Sequence, residues 1–371
     1  MSPIADRLPV GIQSCGCLTP FGDAGATVAA LLEGRRALQL LPVLGPDGGD
    51  RVPLALMDSQ DMAESLPPRW LPALRALAIA IPSDTWGSPR RPIVFTSSNF
   101  GVGSLYAYHR SHDPGHLRHG APFACVELLQ REFRWGEQVH IFSHACVSAH
   151  LGLLHATRLL QAGLADRVLV FTFDFVSPFV AGGFHSLKIL NSEMPAPYAS
   201  RAMGSIGLGD GAAFAVLTRE SAPFRIEAQV LHNEMHHFTG NQLDGSGFAA
   251  CADAIAGAAG GRRIWVKGHG TGTLEAGRLE AETYARALPG APLVSWKGSL
   301  GHTLGSCGLV ELALAIEAVR LGRAPGTIGS LAPCFTDMVA LAPFATAGFD
   351  GAVVASNAFG GAHAALLLSH A

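Results

Sequence analysis

The alternation of apolar runs with polar, glycine-rich breaks predicts strands that alternate with helices along this chain. Apolar runs at 92–98, 167–175 and 211–217 are typical of strands buried on both faces of a sheet, and a shorter strand is predicted at 139–142. Helices are predicted at 123–133 and at 147–163, where the final glycine suits the position after a helix C-terminus. This order indicates right-handed βαβ crossovers and a mostly parallel sheet.

The second part of the chain repeats this order of elements. The pattern predicts strands at 225–231, 264–267, 293–297, 352–356 and 362–368, with helices at 248–258, 278–288 and 309–321. We therefore expect an α/β fold of two duplicated βαβ halves, residues 1–222 and 223–371, although the sequence shows no repeat of fixed period.

The N-terminal region is predicted to be less regular. A strand is expected within 9–22 and a helix at 24–34. The residues from there to about 92 are rich in Pro, Gly and Asp, and only 62–81 has helical character. This region is therefore expected to be loop-rich and to face the surface.

Composition narrows the functional classes. Apolar residues make up 49% of the 371 residues and charged ones 15%, which predicts a large core and a substantial subunit interface. A formal charge of −3 gives no electrostatic reason to expect binding to nucleic acid or an anionic membrane. An acidic partner would need a local basic patch, for which the candidates are Arg201, Arg219, Arg225, Arg262, Arg263, Arg278 and Arg286.

Cysteine usage and the absence of targeting patterns predict the compartment. The seven cysteines are odd in number and lack metal-ligand spacing, which is typical of a reduced, intracellular protein without a metal site. No basic and apolar leader pattern opens the chain, and no apolar run reaches the length of a membrane span. A soluble, cytoplasmic protein without membrane contact is therefore expected.

Cys146 lies at the junction between the predicted strand 139–142 and the helix that follows it. A thiol at such a junction lies near unpaired N–H groups and the positive end of the helix, both of which favour the thiolate. Cys146 is therefore a candidate nucleophile. Buried cysteines are more often inert small hydrophobes, so the junction alone does not establish catalysis.

Three glycine-rich turns follow predicted strands in the second half. Residues 267–273 include His269, residues 297–305 include Lys297 and His302, and residues 356–361 include Phe359. Glycine lets the backbone approach a ligand closely, and α/β sheets place ligands at strand ends. Together with Cys146, these turns predict an acyl-transfer site of the Cys/His type, but they do not name the reaction.

The same turns resemble those of the β-ketoacyl synthase family, the condensing enzymes of fatty acid and polyketide synthesis, which share the thiolase fold. The resemblance runs through nearly the whole chain, and the two-histidine site is similar to the ketoacyl synthase I/II branch. The residues that support it are the opening 10–22 with its Thr-Pro-x-Gly turn, Ala145-Cys146, Gly182-Gly183-Phe184, 207–211, His-Gly-Thr-Gly-Thr at 269–273, Lys-x-x-x-Gly-His-Thr-Leu-Gly at 297–305, and Phe-Gly-Gly at 359–361. It implies mostly parallel sheets in a layered α/β/α/β/α arrangement.

The resemblance also implies a role for each catalytic residue. Cys146 would take an acyl group from a carrier-protein or coenzyme A thioester. His269 and His302 would hydrogen-bond the carbonyl of a malonyl thioester as carbon dioxide leaves, and so stabilise the enolate. Backbone N–H groups of Cys146 and Phe359 would form the oxyanion hole. Lys297 would orient His302.

Further residues are implied to bind substrate or support the site. Thr271 and Thr273 would hold the pantetheine arm, and Phe359 would gate a pocket to which Phe184 and Gly360 contribute. Glu311 would join Lys297 in a supporting polar network. No cofactor is implied, since the substrates are carried on the phosphopantetheine of acyl carrier protein or on coenzyme A.

Two departures from the family pattern are visible. His144 stands where the family usually has a small Thr or Ser, so it either tunes the thiol or packs beside it. The family usually continues Pro-x-Gly-Asp after the second threonine, whereas this chain has Leu-Glu-Ala-Gly at 274–277. These departures favour type II polyketide or polyene-like biosynthesis over housekeeping fatty acid elongation.

Three functions remain open at this point. The leading hypothesis is a β-ketoacyl synthase catalysing decarboxylative Claisen condensation. One alternative is a Cys-dependent acyltransferase that does not decarboxylate. The other is a chain-length-determining partner subunit of a ketosynthase heterodimer, against which the presence of Cys146 argues. The expected partners are acyl carrier protein and a second subunit, in a homodimer or a heterodimer with a ketosynthase-like chain.

Overall fold

The computed structural model describes residues 9–43, 50–57, 62, 67–200, 204–237 and 240–370. Arg201 of the arginine set considered above lies outside the described residues, as does part of the predicted helical stretch 62–81.

The first half contains nine strands and six α-helices among its described residues. The strands are β1 (Val10–Thr19), β2 (Gly22–Asp23), β3 (Gln39–Pro42), β4 (Arg51–Ala55), β5 (Ile93–Thr96), β6 (Val139–Phe142), β7 (Arg167–Asp174), β8 (Leu208–Gly209) and β9 (Gly211–Thr218). The helices are α1 (Ala24–Leu32), α2 (Pro67–Ile79), α3 (Val102–Ser111), α4 (Pro122–Phe133), α5 (Ser148–Gln161) and α6 (Pro178–Ser186), with a 3₁₀ turn at Pro114–His119. The predicted end of α5 is confirmed, since Gly163 follows it with a φ of +70°.

The second half contains the remaining elements. Its strands are β10 (Phe224–Asn233), β11 (Ile264–Lys267), β12 (Leu293–Val294), β13 (Arg323–Ala324), β14 (Phe344–Ala345), β15 (Gly351–Ala358) and β16 (Ala362–His370). Its helices are α7 (Ser246–Ala259), α8 (Leu274–Ala287), α9 (Lys297–Leu300) and α10 (Cys307–Arg320), with a 3₁₀ turn at Leu304–Ser306. The strand predicted at 293–297 is shorter than expected, because the chain turns into α9 at Lys297.

One large sheet runs through both halves, in the order β12-β11-β15-β16-β10-β1-β9-β7-β5-β6. At one end β6, β5 and β7 pair in parallel, and at the other end β12, β11 and β15 do the same. The five pairings between β7 and β15 are antiparallel. The expectation of mostly parallel sheets therefore holds only for the βαβ units at the two ends.

The strand order repeats on either side of the β1–β10 junction. This junction pairs Val10 with Ile226, Gly11 with Arg225 and Ile12 with Phe224. Moving outward from it, each half shows two antiparallel pairings followed by two parallel ones. The α/β class and the duplicated halves are thus confirmed, whereas the boundary at 222/223 stays a prediction.

Helices form three layers around the two halves of the sheet. In the centre, α5 and α10 contact each other, α5 packing on β5 and β7 and α10 on β1, β9 and β15. On the outer face of the first half, α2 and α4 cover β5, β7 and β9. On the outer face of the second half, α7 and α8 cover β11, β15 and β16. The expected α/β/α/β/α layering follows from this packing.

The region before residue 92 is more ordered and more buried than the sequence predicts. Strands β3 and β4 form a small sheet with β8, and Val52 and Leu54 are fully buried in it. Helix α2 packs Trp70 against Phe173, with ring centroids 5.6 Å apart. The prediction of a surface-facing loop region is therefore wrong, because short apolar runs between Pro and Gly find partners that lie far away in the sequence.

No helix in the described ranges is both long and apolar enough to cross a lipid bilayer.

Candidate active site

Cys146 lies in a tight turn between β6 and α5. Ala145, just before it, has a φ of +44°, a left-handed conformation that is costly for a residue with a Cβ. The Ser148 hydroxyl stabilises this turn, since it accepts the N–H of His144 and donates to the carbonyl of Ala145, both at 2.7 Å. The strained residue sharpens the turn at the strand end, where the thiol is presented.

The structure brings Cys146 together with both predicted histidines. The Sγ atom of Cys146 lies 2.9 Å from Nε2 of His302, and the rings of His302 and His269 meet edge to face with centroids 4.9 Å apart. All three side chains are buried. The site therefore places a thiol and two imidazoles within reach of one small ligand group.

Burial changes the ionisation of these groups. It raises the pKa of the Cys146 thiol, an effect to which Cys307 adds and which Lys297 opposes. Burial also lowers the pKa of His269 and of His302 well below the ordinary value, with further lowering by Lys297. The helix terminus was expected to favour the thiolate of Cys146, but burial acts in the opposite direction and raises the pKa of the thiol.

Two lysines share one carboxylate behind the histidines. The Nζ atoms of Lys297 and Lys267 lie 2.5 Å and 2.8 Å from Oε1 of Glu311, and all three side chains are buried. Although burial opposes it, Glu311 raises the pKa of Lys297, whereas burial lowers that of Lys267 to about 8. With both lysines protonated, the cluster holds one excess positive charge beside the site.

The predicted network of Lys297 and Glu311 is therefore present, but Lys297 makes no hydrogen bond to His302. The Nδ1 atom of His302 is buried and has no hydrogen-bond partner among the described residues. The role of Lys297 in orienting His302 stays a prediction, and in this geometry the effect would act through packing and charge.

Glu280 holds the turn that presents His269. Its carboxylate accepts the backbone N–H of His269 at 2.6 Å and that of Gly270 at 2.8 Å. It also accepts the hydroxyl of Tyr198 at 2.8 Å and the side-chain amide of Asn357 at 3.1 Å. Four donors on one buried carboxylate make the His269 turn rigid.

A cavity of about 250 Å³ opens beside the thiol. The predicted residues that line it are Cys146, Phe184, His269, Thr271, Thr273, His302 and Phe359. The rings of Phe184 and Phe359 stack with centroids 5.6 Å apart, and the hydroxyls of Thr271 and Thr273 lie 3.2 Å apart. Residues that the sequence did not single out complete the wall: Ile189, Ile206, Gly240, Asn241, Glu275, Ala276, Asn357 and Ala358.

Other predicted residues lie outside this wall. Gly360 follows Phe359 with a φ of +85° but does not line the cavity, and Lys297 and Glu311 lie behind it. The ring of His144 bonds Oδ1 of Asn233 at 3.0 Å, while the thiol bonds His302. The structure thus gives His144 a packing and hydrogen-bonding contact away from the sulfur.

The departure at 274–277 has a local structural outcome. Leu274 begins α8, and the N–H of Gly277 bonds the carbonyl of Thr273 to start the helix. Glu275 and Ala276 then lie at the cavity wall. Residues 274–277 thus form the start of a helix that contributes two residues to the cavity wall.

Sequence reasoning missed Lys267 and Glu280. Lys267 lies just before the His-Gly-Thr-Gly-Thr motif at 269–273 and ends the apolar strand β11. A lysine at the end of a buried strand indicates a buried ion pair, because lysines are rarely buried without a partner. Glu280 lies among apolar residues on the inner face of α8, where a carboxylate needs partners.

Part of the chain is similar in sequence to known β-ketoacyl synthases. Residues 226–330 match the β-ketoacyl synthase, C-terminal domain family. The ketoacyl synthase alpha subunit of the tetracenomycin polyketide synthase of Streptomyces glaucescens is 29% identical over 211 residues, 51% of this chain and 49% of that protein.

Two further relatives align over more of their length. The granaticin polyketide putative β-ketoacyl synthase 1 of Streptomyces violaceoruber is 28% identical over 69% of this chain and 68% of that protein. The 3-oxoacyl-[acyl-carrier-protein] synthase 2 of Coxiella burnetii is 30% identical over 61% of this chain and 60% of that protein. The chain thus spans between half and about two thirds of the length of these relatives.

Solved structures show the same fold over the whole chain. A β-ketoacyl synthase from Burkholderia phymatum has a TM-score of 0.82 and 19% identity, covering 98% of this chain and 99% of that one. A ketosynthase in complex with its chain length factor, from Xenorhabdus doucetiae, has a TM-score of 0.77 and 19% identity, with both chains fully covered. These structures confirm the thiolase-like fold, while the family match and the sequence relatives show that the chain is similar to β-ketoacyl synthases.

Proposed function

We propose that this chain is a β-ketoacyl synthase that catalyses decarboxylative Claisen condensation, in type II polyketide or polyene-like biosynthesis or in fatty acid synthesis. The observation that supports this most directly is the contact of 2.9 Å between the Cys146 thiol and His302, with His269 at the same cavity. A thiol for covalent acyl transfer and two imidazoles for carbonyl recognition are the groups that this reaction needs.

The first half-reaction loads the thiol. The sulfur of Cys146 attacks the carbonyl of an acyl thioester, and the thiol proton passes through Nε2 of His302 to the departing carrier thiolate. An acyl-Cys146 thioester and a free carrier thiol result, so atoms and charge balance. The hydrogen bond to His302 provides the proton acceptor that a thiol of raised pKa requires.

The second half-reaction forms the carbon–carbon bond. A malonyl thioester loses carbon dioxide, and the resulting enolate attacks the acyl carbon of acyl-Cys146. The thiolate of Cys146 leaves and takes up one proton from the solvent, and the product is a β-ketoacyl thioester two carbons longer. His269 and His302 are neutral because burial and Lys297 lower their pKa values, so each has one N–H to donate to the enolate oxygen. His302 donates in the tautomer with its hydrogen on Nε2, whereas it accepts the thiol proton during loading in the tautomer with its hydrogen on Nδ1.

The surroundings of these groups strengthen the enolate contacts. Oxyanion-hole donors in dry sites contribute roughly 3 kcal/mol each to transition-state stabilisation. The excess positive charge of Lys267 and Lys297 over Glu311 favours the negative charge that develops next to it. We further assign the tetrahedral oxyanion to the backbone N–H groups of Cys146 and Phe359.

The substrates are proposed to arrive on the phosphopantetheine of an acyl carrier protein or on coenzyme A, with no other cofactor. Thr271 and Thr273 lie at the cavity wall with their hydroxyls side by side, where they can hydrogen-bond a pantetheine amide. The stacked rings of Phe184 and Phe359 would act as the gate to the acyl portion.

A second subunit is part of this proposal. Strand β6 ends the large sheet with one edge unpaired within the described residues, and its four residues are only half-buried. An open, apolar edge of this kind favours pairing with another chain. We propose a homodimer or a heterodimer with a ketosynthase-like chain, in the cytoplasm, where the seven cysteines would stay free as they are here.

Intact-mass measurement after incubation with a panel of acyl thioesters tests the proposal. The wild type should gain one acyl group, and Cys146→Ala should gain none. When malonyl thioester is then added, the adduct should disappear from the wild type while a β-ketoacyl product and carbon dioxide are formed. An adduct that is released to an oxygen or nitrogen nucleophile without carbon dioxide would establish the non-decarboxylating acyltransferase instead. No adduct on the wild type, with or without a partner subunit, would leave only the role of a chain-length-determining subunit.

A further inference from the structure

A second buried polar network lies behind the turn that bears Phe359. Asn357 on β15 and His363 on β16 face each other across the two strands that enter and leave this turn. Nδ1 of His363 lies 2.7 Å from Oδ1 of Asn357, and Nε2 of His363 lies 2.8 Å from Oε1 of Glu234. The side chains of His363 and Glu234 are 0% and 1% exposed.

The hydrogen-bond directions in this network are fixed by Glu280. The amide group of Asn357 donates to Oε1 of Glu280, so its oxygen must face His363 as an acceptor. Nδ1 of His363 therefore holds a hydrogen. A lone pair on Nε2 facing the Glu234 carboxylate would be repulsive, so one further proton must lie between these two atoms, whichever of them holds it.

Glu234 connects this network to the wall of the cavity. Its second oxygen accepts the N–H of Gln242 at 2.8 Å, directly after Gly240 and Asn241, which line the cavity. Its own N–H donates to the carbonyl of Gly361 at 2.8 Å, on the far side of the Phe359 turn. A Cβ on Gly361 would lie 2.9 Å from the Cβ of Glu234, so the carboxylate is closely fitted to this turn.

We propose that His363 and Glu234 form a positioning pair, which shares one proton and holds Asn357 so that the Phe359 turn and, through Glu280, the His269 turn keep their active geometry. The pair touches neither substrate nor thiol, and acts through Asn357. This inference rests on the proposed function in that it takes the enolate to be bound by His269. It predicts that disruption of the pair impairs condensation more than loading of the thiol.

Three variants separate positioning from general stability. Glu234→Ala removes the partner of His363 and frees Asn357. Glu234→Gln is the conservative rescue, since its amide N–H can donate to Nε2 of a neutral His363 while its oxygen still accepts from Gln242. His370→Gln is the matched control at the far end of β16, where, within the described residues, the His370 ring bonds the carbonyl of Phe349 and contacts the ring of Phe224.

The experiment measures acylation of Cys146 and condensation as separate rates, alongside hydrogen exchange of the peptides at 266–273 and 356–361. We expect Glu234→Ala to lower the condensation rate by about 10- to 100-fold, because a small displacement of catalytic groups reduces a rate by about this factor. Acylation should stay near the wild-type rate, and both peptides should exchange faster. Glu234→Gln and His370→Gln should match the wild type in all three measurements.

Other outcomes decide the proposal as well. Equal loss of both rates with faster exchange throughout the chain, in Glu234→Ala and Glu234→Gln alike, would show a merely structural role and overturn it. Unchanged exchange of the two peptides in Glu234→Ala would also overturn it. If Glu234→Ala does not fold, His363→Gln replaces it, because the single amide nitrogen of glutamine cannot occupy the positions of both ring nitrogens that bond Asn357 and Glu234. A wild type that forms no β-keto product would refute the proposed function, while hydrogen exchange would still decide the positioning.

Discussion

The Sγ atom of Cys146 lies 2.9 Å from Nε2 of His302, although 156 residues separate them in the sequence. The pair forms where the turn between β6 and α5 meets the turn that follows α9. Since burial raises the pKa of the thiol and lowers that of the imidazole, the resting pair is a neutral thiol and a neutral imidazole. Nucleophilic attack therefore requires the proton to move as the carbon–sulfur bond forms.

Alkylation kinetics should reveal this neutral thiol. Only the thiolate reacts with iodoacetamide, and the pKa of Cys146 is raised. The rate of its modification should therefore still increase with pH at pH 9, where the modification rate of a free cysteine already begins to level off. The rate is measured by intact mass, and Cys146→Ala identifies the adduct. A rate that levels off near pH 6 would instead show a thiolate–imidazolium pair.

Glu280→Gln should disrupt the His269 turn. The glutamine has one acceptor oxygen for four donors, so buried N–H groups of His269 and Gly270 lose a charged acceptor. We expect the free energy of unfolding to fall by about 2–4 kcal/mol, since each hydrogen bond to a charged group contributes about 1.5–3 kcal/mol. Condensation should fall while acylation of Cys146 persists.

Glu282→Gln on the same helix is the matched control for Glu280→Gln. Glu282 is exposed and pairs with Arg278 one turn away, so its loss should change stability by less than about 0.5 kcal/mol. Urea unfolding of both variants checks the comparison. Equal effects of the two substitutions would contradict the anchoring role of Glu280.

The nucleophile and both histidines could be predicted from the sequence because each lies in a glycine-rich or strand-end turn with a recognisable pattern. Cys146, His269 and His302 all line the same cavity, as expected. Glu280 could not be predicted in the same way, because a glutamate within a helical pattern is normally a solvated residue. Only the packing of α8 under the His269 turn gives it four donors.

The regular elements were predicted more closely than the sheet that joins them. Strands β7, β9, β11 and helix α4 lie within two residues of their expected bounds, because local apolar patterns specify them. The β1–β10 pairing, which joins residues more than 200 apart, has no local signal. The pKa of Cys146 was predicted in the wrong direction for a related reason, since the helix terminus is visible in the sequence and the depth of burial is not.

Loss of Glu311 should destabilise the fold more than loss of Lys267, one of its two lysine partners. Glu311→Gln leaves two buried lysines without a counter-charge and should lower the free energy of unfolding by about 3–5 kcal/mol. Lys267→Met leaves the Lys297–Glu311 pair intact, and its net effect on the free energy of unfolding should be below about 1 kcal/mol. The desolvation cost of Lys267 is then no longer incurred, which offsets its lost contacts with Glu311 and the carbonyl of Gly268. Denaturant unfolding at pH 7 measures the free energy of unfolding of both variants. A larger decrease for Lys267→Met than for Glu311→Gln would contradict the assignment of one excess positive charge to this cluster.

His150 should make the fold sensitive to acid. It is buried on α5, its Nε2 has no partner within the described part of the chain, and burial followed by Lys297 and Lys267 lowers its pKa to about 3. Above the unfolded value of about 6.5 both states are neutral, so the residue has no effect on stability there. As the pH falls below it, the unfolded chain binds a proton that the folded chain does not, and stability decreases by about 1.4 kcal/mol per pH unit.

His150→Gln tests this effect because glutamine does not titrate. Between pH 6.5 and 5 the variant should lose about 2 kcal/mol less of its free energy of unfolding than the wild type, as measured by urea unfolding. Asp174 acts in the opposite direction, since burial raises its pKa to about 6 and folding then favours its protonated form, but this contribution is common to both proteins. His109→Gln, at an exposed position on α3, should keep the wild-type slope. If wild type and His150→Gln show the same pH dependence, His150 binds a proton as readily in the folded state as in the unfolded one, which would contradict the lowering of its pKa by burial.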